Sequence, residues 1–216
     1  MKIYTTSGGG ASLNYYRQYD VGCMIPSPCK SNLASIRKNC DFFALDNGAF
    51  GCYRRGLPFM REYFMDTIKK TFDAGITLDF LTCPDILCAG MESLEWSLEW
   101  ATGELRGVRN LALVVQPGMT PKKICHYLRP FSWIFVGGDN PWKWDTLNQW
   151  VTSARDWGMK IHVGQVGTAE RLVRCDELGV DSVDSSSYMR NKSWRIIEEF
   201  RNCKQPTLFG DINEQR

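Results

Sequence analysis

One pattern constrains this chain more than any other. A short apolar run, a turn and a longer amphipathic stretch recur along nearly its whole length. The runs are Lys2 to Thr6, Val21 to Ile25, Phe42 to Asp46, Leu78 to Thr82, Leu111 to Gln116, Trp133 to Gly137, Lys160 to Val163 and Val180 to Asp184. Between them lie helix-like segments: Pro58 to Ala74, Ser93 to Leu105, Thr120 to Leu128, Trp142 to Trp157, Thr168 to Leu178 and Asn191 to Arg201. Several are punctuated as helices are, with Thr-Pro opening one and Gly75, Gly158 and Gly179 closing others. The two early helices, near Leu13 to Tyr19 and Asn32 to Lys38, are short. Alternation of this kind predicts an all-parallel sheet with helical crossovers. The number of repeats predicts closure into a compact α/β barrel of the (β/α)8 TIM type, one domain over residues 1–216, with an open doubly wound sheet as the alternative.

Composition narrows the class without naming a function. A chain of 216 residues with 44% hydrophobic and 23% charged residues is neither disordered nor fibrous, and it buries a core without disulfide staples. A net charge of +2 neither demands nor excludes a nucleic-acid partner, since a local basic patch suffices. No stretch approaches the ~20 apolar residues of a membrane span, so no membrane partner is expected. The opening MKIYTTSGGG does not read as a secretion signal. The nine cysteines form no CxxC pair, and only His126 and His162 supply imidazoles. The expectation is therefore reduced thiols in a cytoplasmic protein, with no structural zinc and no zinc subdomain.

Barrel chemistry sits at the carboxyl ends of the strands. Side chains alternate across a strand, so the bulky Phe43 and Leu45 should pack on helices while Ala44 and Asp46 look inward. By the same parity Ala112, Val114 and Gln116 face in, as do His162, Ser182 and Asp184. Asp46, Gln116 and Asp184 thus converge on one mouth, and Asp85 follows a fourth run in FLTCPDI. A lone strand-end aspartate often caps a helix or anchors a loop. Several at one mouth point to function, because gathered like charges raise the energy of the fold. Two carboxylates of this kind equip a site for glycosidic-bond chemistry, one attacking the sugar carbon and the other moving a proton. Gly48 permits a sharp turn beside Asp46, and Gly137 with Gly138 leaves bare backbone where a planar base can approach.

The segments ALDNGAF, VVQPG, IFVGG and VGQVGTAERLVRCDELGVDSVDSSSYMRN resemble the tRNA-guanine transglycosylase superfamily. The corresponding family pieces read roughly as DSGGFQ, a VQGG-like segment, a GG strand end, and GVGTPEDL followed by GVDxFD and an arginine. The resemblance runs from about Phe42 to Arg190, is strongest from Lys160 onward, and implies a (β/α)8 barrel. It implies that Asp184 is the nucleophile at the anomeric carbon of a guanosine nucleotide and that Asp46 is the general acid/base. Asp85, with Asp79 as the alternative, would hold the guanine N–H edge, while Gln116 and the Gly138 backbone would contact the base carbonyl. The family's tRNA enzymes carry a cysteine-rich zinc cluster with a histidine after the nucleophile. In this sequence only Cys203 follows Asp184, and no histidine does. With the short chain, that is more similar to the DNA deazaguanine transglycosylases of phages and bacterial modification systems, which implies a bacterial or phage-infected cytoplasm.

The implied reaction exchanges guanine in DNA for a free deazaguanine such as preQ0 through a covalent aspartyl-sugar intermediate, without metal or redox cofactor. A base in a duplex must flip out to reach such a mouth, at a cost of a few kcal/mol. Candidate phosphate contacts are Arg54, Arg55, Lys143 between Trp142 and Trp144, and Arg190 with Lys192. Tyr188 is a candidate platform for the base, and His162 reads as a hydrogen-bonded barrel residue. The alternatives are a tRNA-guanine transglycosylase, a hydrolase or deoxyribosyltransferase on free nucleosides, and a non-catalytic nucleic-acid-binding subunit.

Overall fold

A computed structural model of the protein describes residues 1–204. The chain alternates strand and helix throughout. It runs β1 (Lys2–Thr6), α1 (Asn14–Gln18), β2 (Gly22–Ile25), α2 (Leu33–Asn39), β3 (Phe43–Leu45), α3 (Ala49–Tyr53), α4 (Arg61–Asp73), β4 (Leu78–Thr82) and α5 (Met91–Thr102). It continues through β5 (Leu111–Val115), α6 (Pro121–Ile124), β6 (Trp133–Val136), α7 (Asn140–Asp156), β7 (Lys160–Val163), α8 (Ala169–Glu177), β8 (Ser182–Asp184), α9 (Ser187–Arg190) and α10 (Arg195–Lys204). The eight strands pair in chain order, all parallel, and β8 returns to β1 to close the barrel. The α/β architecture read from the alternation is therefore the one observed. The runs at Lys2 to Thr6, Leu78 to Thr82 and Lys160 to Val163 coincide with strands residue for residue.

Local chemistry starts the helices. Asn32, Thr120, Asp139 and Thr168 each accept a backbone N–H of the first turn of α2, α6, α7 and α8, respectively. Pro121 occupies the first turn of α6, where its missing N–H leaves nothing unpaired. Two short helices, α3 and α9, are not evident in the sequence. Each begins three residues after a candidate aspartate, Asp46 or Asp184.

Two apolar layers hold the barrel. Phe43, Leu45, Leu111, Leu113, Val115 and Val183 face outward into the layer shared with the helices. A separate inner cluster of Tyr4, Met24, Ala44, Phe80, Ala112 and Trp133, backed by Phe42 and Phe135, fills the amino half of the barrel. Its rings meet edge-on or tilted, Tyr4 with Phe42 at 5.2 Å and Phe80 with Trp133 at 4.7 Å, the geometry in which aromatic pairs attract. Between β3 and β4 the register slips, so that Phe43 pairs with Leu78 and Ala44 with Phe80. Asp79 is the extra residue of that bulge. It binds Lys2 Nζ at 2.6 Å and the Tyr4 hydroxyl at 2.5 Å. This fixes Asp79 at the amino end of the barrel and removes it as an alternative to Asp85.

Candidate active site

The opposite, carboxyl end carries the polar groups. Asp46 follows the last residue of β3, and its amide still donates to Ile25 O at 2.8 Å, so its backbone stays in the sheet. Two residues later Gly48 turns the chain at φ +80°, and a Cβ there would lie 2.1 Å from Ser27 O. Only glycine fits that turn. Asn47, which no sequence pattern singles out, ties two strand ends together. Its Nδ2 donates to Cys83 O and to Asp85 Oδ1, both at 2.8 Å, and its Oδ1 accepts the Ala49 amide at 2.8 Å. Asp85 is thereby fixed beside the end of β3.

On the far side of the mouth, Asp184 ends β8 and its carbonyl accepts the Val166 amide at 2.7 Å. Its Oδ1 lies 3.0 Å from His162 Nε2, and its side chain is 19% exposed, enough to be reached from the mouth. His162 is fully buried. Gly164, one residue beyond β7, lets this corner close, because a Cβ there would press on the Phe135 ring at 2.5 Å.

The three carboxyls share one electrostatic neighbourhood. Burial first, and then the charges of Asp184 and Asp85, push Asp46 up to about 7 against the amides of Gly48 and Asn47. Burial lifts Asp85 to about 6, opposed by its hydrogen bond from Asn47. His162 is held below the ordinary imidazole value by burial, with Asp184 pulling the other way. The arrangement thus offers a half-buried acid with its proton in play near neutrality, and a second aspartate held by an imidazole. That is a pairing suited to general acid/base and nucleophilic work.

Gln116, buried one residue past β5, donates its Nε2 to Ile86 O at 2.9 Å and so sits beside the Asp85 loop. The Gly137 amide is taken up by Val115 O at 2.9 Å in the sheet, so this glycine has no free N–H for a base. Gly138 turns at φ +73°, its Cα side packed so tightly on Pro117 and Trp142 that a Cβ would lie 2.8 Å from each. Lys143 is also corrected. Rather than facing phosphate, it is buried in α7 and donates to Gly164 O at 2.6 Å, with burial lowering it to about 8. Trp142 is half-buried against Trp150, and Trp144 lies under Arg171 and Arg174. Tyr188 is no platform for a base either, since its ring is fully buried and its hydroxyl donates to Val166 O. Arg54 and Arg55 at the end of α3, and Arg190 and Lys192 at the end of α9, remain at least partly exposed. The loops carrying them leave the same end of the barrel as Asp46 and Asp184.

Among the described residues no group of three or more His, Cys, Asp or Glu side chains is arranged to hold a metal ion. None of the nine cysteines is in a disulfide. Among the described residues no helix is long and apolar enough to cross a membrane. Two cavities of about 250 and 270 Å³ open at the amino end, beside Met159 and Asp181 and beside Met1 and Phe200, away from the carboxylates.

No protein-family model matches the chain. A stretch of 97 residues, 45% of the chain, is 29% identical to an arabinogalactan endo-β-1,4-galactanase from Humicola insolens, and the match spans 27% of that protein. Among solved structures, a mandelate oxidase mutant with a monooxide FMN adduct superposes with a TM-score of 0.56 at 13% identity, over 93% of this chain and 69% of that one. A protein from Sorangium cellulosum described as a putative mandelate racemase/muconate lactonizing enzyme gives 0.57 at 10% identity, over 88% of this chain and 55% of that one. These structural likenesses establish the barrel. All three neighbours are named as enzymes, and their chemistries differ.

Proposed function

We propose that the protein is a base-exchange transglycosylase that replaces guanine in DNA with a free deazaguanine of the preQ0 type, and so resembles the DNA branch of the tRNA-guanine transglycosylase superfamily. The observation that carries this reading is the pairing of Asp46, raised to about 7, with the His162-held Asp184 at one barrel mouth. In the first step an Asp184 carboxylate oxygen bonds to the anomeric carbon. The glycosidic C–N bond breaks and its electrons pass to the purine, which takes a proton from Asp46. Guanine leaves, and the sugar stays esterified to Asp184. In the second step Asp46 removes a proton from the incoming base, whose nitrogen attacks the same carbon and releases the Asp184 carboxylate. Two inversions retain the configuration. A carboxyl titrating near neutrality can perform both transfers.

Base recognition falls to Asp85 and Gln116. Asp85, oriented by Asn47, presents a carboxylate to the N–H edge of guanine, and Gln116 is held against the same loop through Ile86. Arg54, Arg55, Arg190 and Lys192 are exposed cations that could meet a phosphate backbone around this end. The target nucleotide enters single-stranded or flipped.

The test is incubation of the protein with DNA or with tRNA plus labelled preQ0, followed by nucleoside mass spectrometry. Label in DNA that disappears in Asp184→Asn is the expected result. Undiminished incorporation by that variant overturns the reading, and label in tRNA alone moves it to the tRNA branch. The partial likeness to a galactanase favours a second reading, in which the same carboxyl pair cleaves a bond between sugars. Release of reducing sugar from galactan, without base exchange, would establish it.

A further inference from the structure

β7 carries one inward imidazole, and both of its nitrogens are engaged. The His162 ring is enclosed by Tyr4 of β1, Phe80 of β4 and Phe135 of β6, with centroids at 6.0, 4.9 and 4.5 Å. Its Nδ1 lies 2.9 Å from Ser182 Oγ and its Nε2 lies 3.0 Å from Asp184 Oδ1. Both partners are on β8, two residues apart, so they face the same side of one strand. An ionised carboxylate offers only acceptors, so the proton of this pair sits on Nε2. Nδ1 is then an acceptor, and the Ser182 hydroxyl is the donor that fills it.

We infer that His162 is a positioning residue. As the neutral Nε2–H tautomer fixed by Ser182, it pins Oδ1 of Asp184 and leaves Oδ2 as the oxygen that meets the anomeric carbon. The inference rests on the assignment of Asp184 as nucleophile. Its physical content is orientation. The bond removes rotation of the carboxylate about its last torsion, and a misplacement of about 1 Å at an attacking atom is worth about 10²-fold in rate. Neutrality is part of the device, because an imidazolium would quench the charge that attacks. The groups that bear on the imidazole agree with a neutral ring. Asp184 on β8 favours its protonation, and burial, joined by the charge of Lys143 on α7, outweighs that pull. The Tyr4 hydroxyl is turned away to Asp79.

The full chain has only two histidines, His126 and His162, so nitrogen-15 NMR of the histidine-labelled protein separates them. The expected spectrum has the His162 signals as the Nε2–H tautomer, unchanged across the neutral pH range. An Nδ1–H tautomer, or protonation of His162 in that range, overturns the inference without any variant. Kinetics supply the second arm. Glutamine can present an N–H near the position of Nε2, whereas leucine cannot. His162→Leu is expected to lose about 10²-fold in kcat with KM changed by less than about threefold, and His162→Gln to recover most of kcat with the pH profile of the parent. A His162→Leu enzyme with parental kcat overturns the inference, as does a folded His162→Gln enzyme no better than the leucine variant. Loss of one limb of the pH profile in His162→Gln overturns it too, because the imidazole would then be moving the proton itself. Activity in Asp184→Asn sinks the nucleophile assignment instead, and is read separately.

Discussion

Asp46 is held in the fold at a pKa of about 7 against an ordinary aspartate value of 3.8. The folded protein therefore binds this proton more tightly than the unfolded chain does. Stability from this group is complete below about pH 4 and is lost as the pH rises through about 7. A rise of about 3 in pKa corresponds to about 4 kcal/mol at about 1.4 kcal/mol per unit, and solvent at the half-buried mouth makes this an upper value. Asn at this position carries no charge at any pH, and its carbonyl keeps an acceptor for the amides of Gly48 and Asn47. Asp46→Asn should thus match the parent near pH 4 and exceed it near pH 8 by up to about 4 kcal/mol, or about 8–16 °C in melting temperature for a chain of this size. Turnover should fall at the same time. Guanidinium unfolding of both proteins across that pH range measures the gap, and the titration of Asp85 largely cancels in the difference. A gap that fails to widen with pH, or a variant less stable than its parent near pH 8, would refute the claim that burial and neighbouring charge lift this carboxyl.

Other outcomes follow from single side chains. Lys143→Met removes the donor to Gly164 O and leaves a buried carbonyl unpaired, so urea unfolding should register a loss of about 2–3 kcal/mol. The Thr82 hydroxyl is buried without a hydrogen-bond partner, so Thr82→Val should leave stability unchanged or raise it by about 1 kcal/mol in the same assay. Charge reversal at Arg54 and Arg55 together should weaken single-stranded DNA binding. It should also flatten the plot of log affinity against log salt by about 1.4, at about 0.7 for each phosphate no longer neutralised. An unchanged slope would remove α3 from the interface.

Parity carries the sequence reading furthest. In a parallel strand with small residues inside and bulky ones outside, the pattern Phe43, Ala44, Leu45, Asp46 can be read only one way, and the structure has Leu45 outward and Ala44 inward. The same logic turns His162 inward. It does not say what the imidazole touches, because the bond to Asp184 spans 22 positions of chain. Asn47 escapes notice for a similar reason: its value lies in reaching Asp85, 38 residues away. Lys143 misleads although the signal is present. Between two tryptophans it looks like a cationic binding surface, yet Lys143, Leu147, Trp150, Val151 and Ala154 form the buried stripe of α7 at helical spacing. Asp79 shows where parity itself fails, since one bulge residue turns a side chain against the rule.

The aromatic rings of the inner cluster, set edge-on and tilted to one another, fill the barrel interior and leave its carboxyl mouth as the side from which the carboxylates are approached. Whatever enters must retreat by the way it came. In a base exchange the departing purine and its replacement then share a single doorway, and the strand waits, tethered, while one clears it for the other. On the proposed reaction a filled interior would order events: departure first, arrival second, with the outgoing base a direct competitor for the space its successor needs.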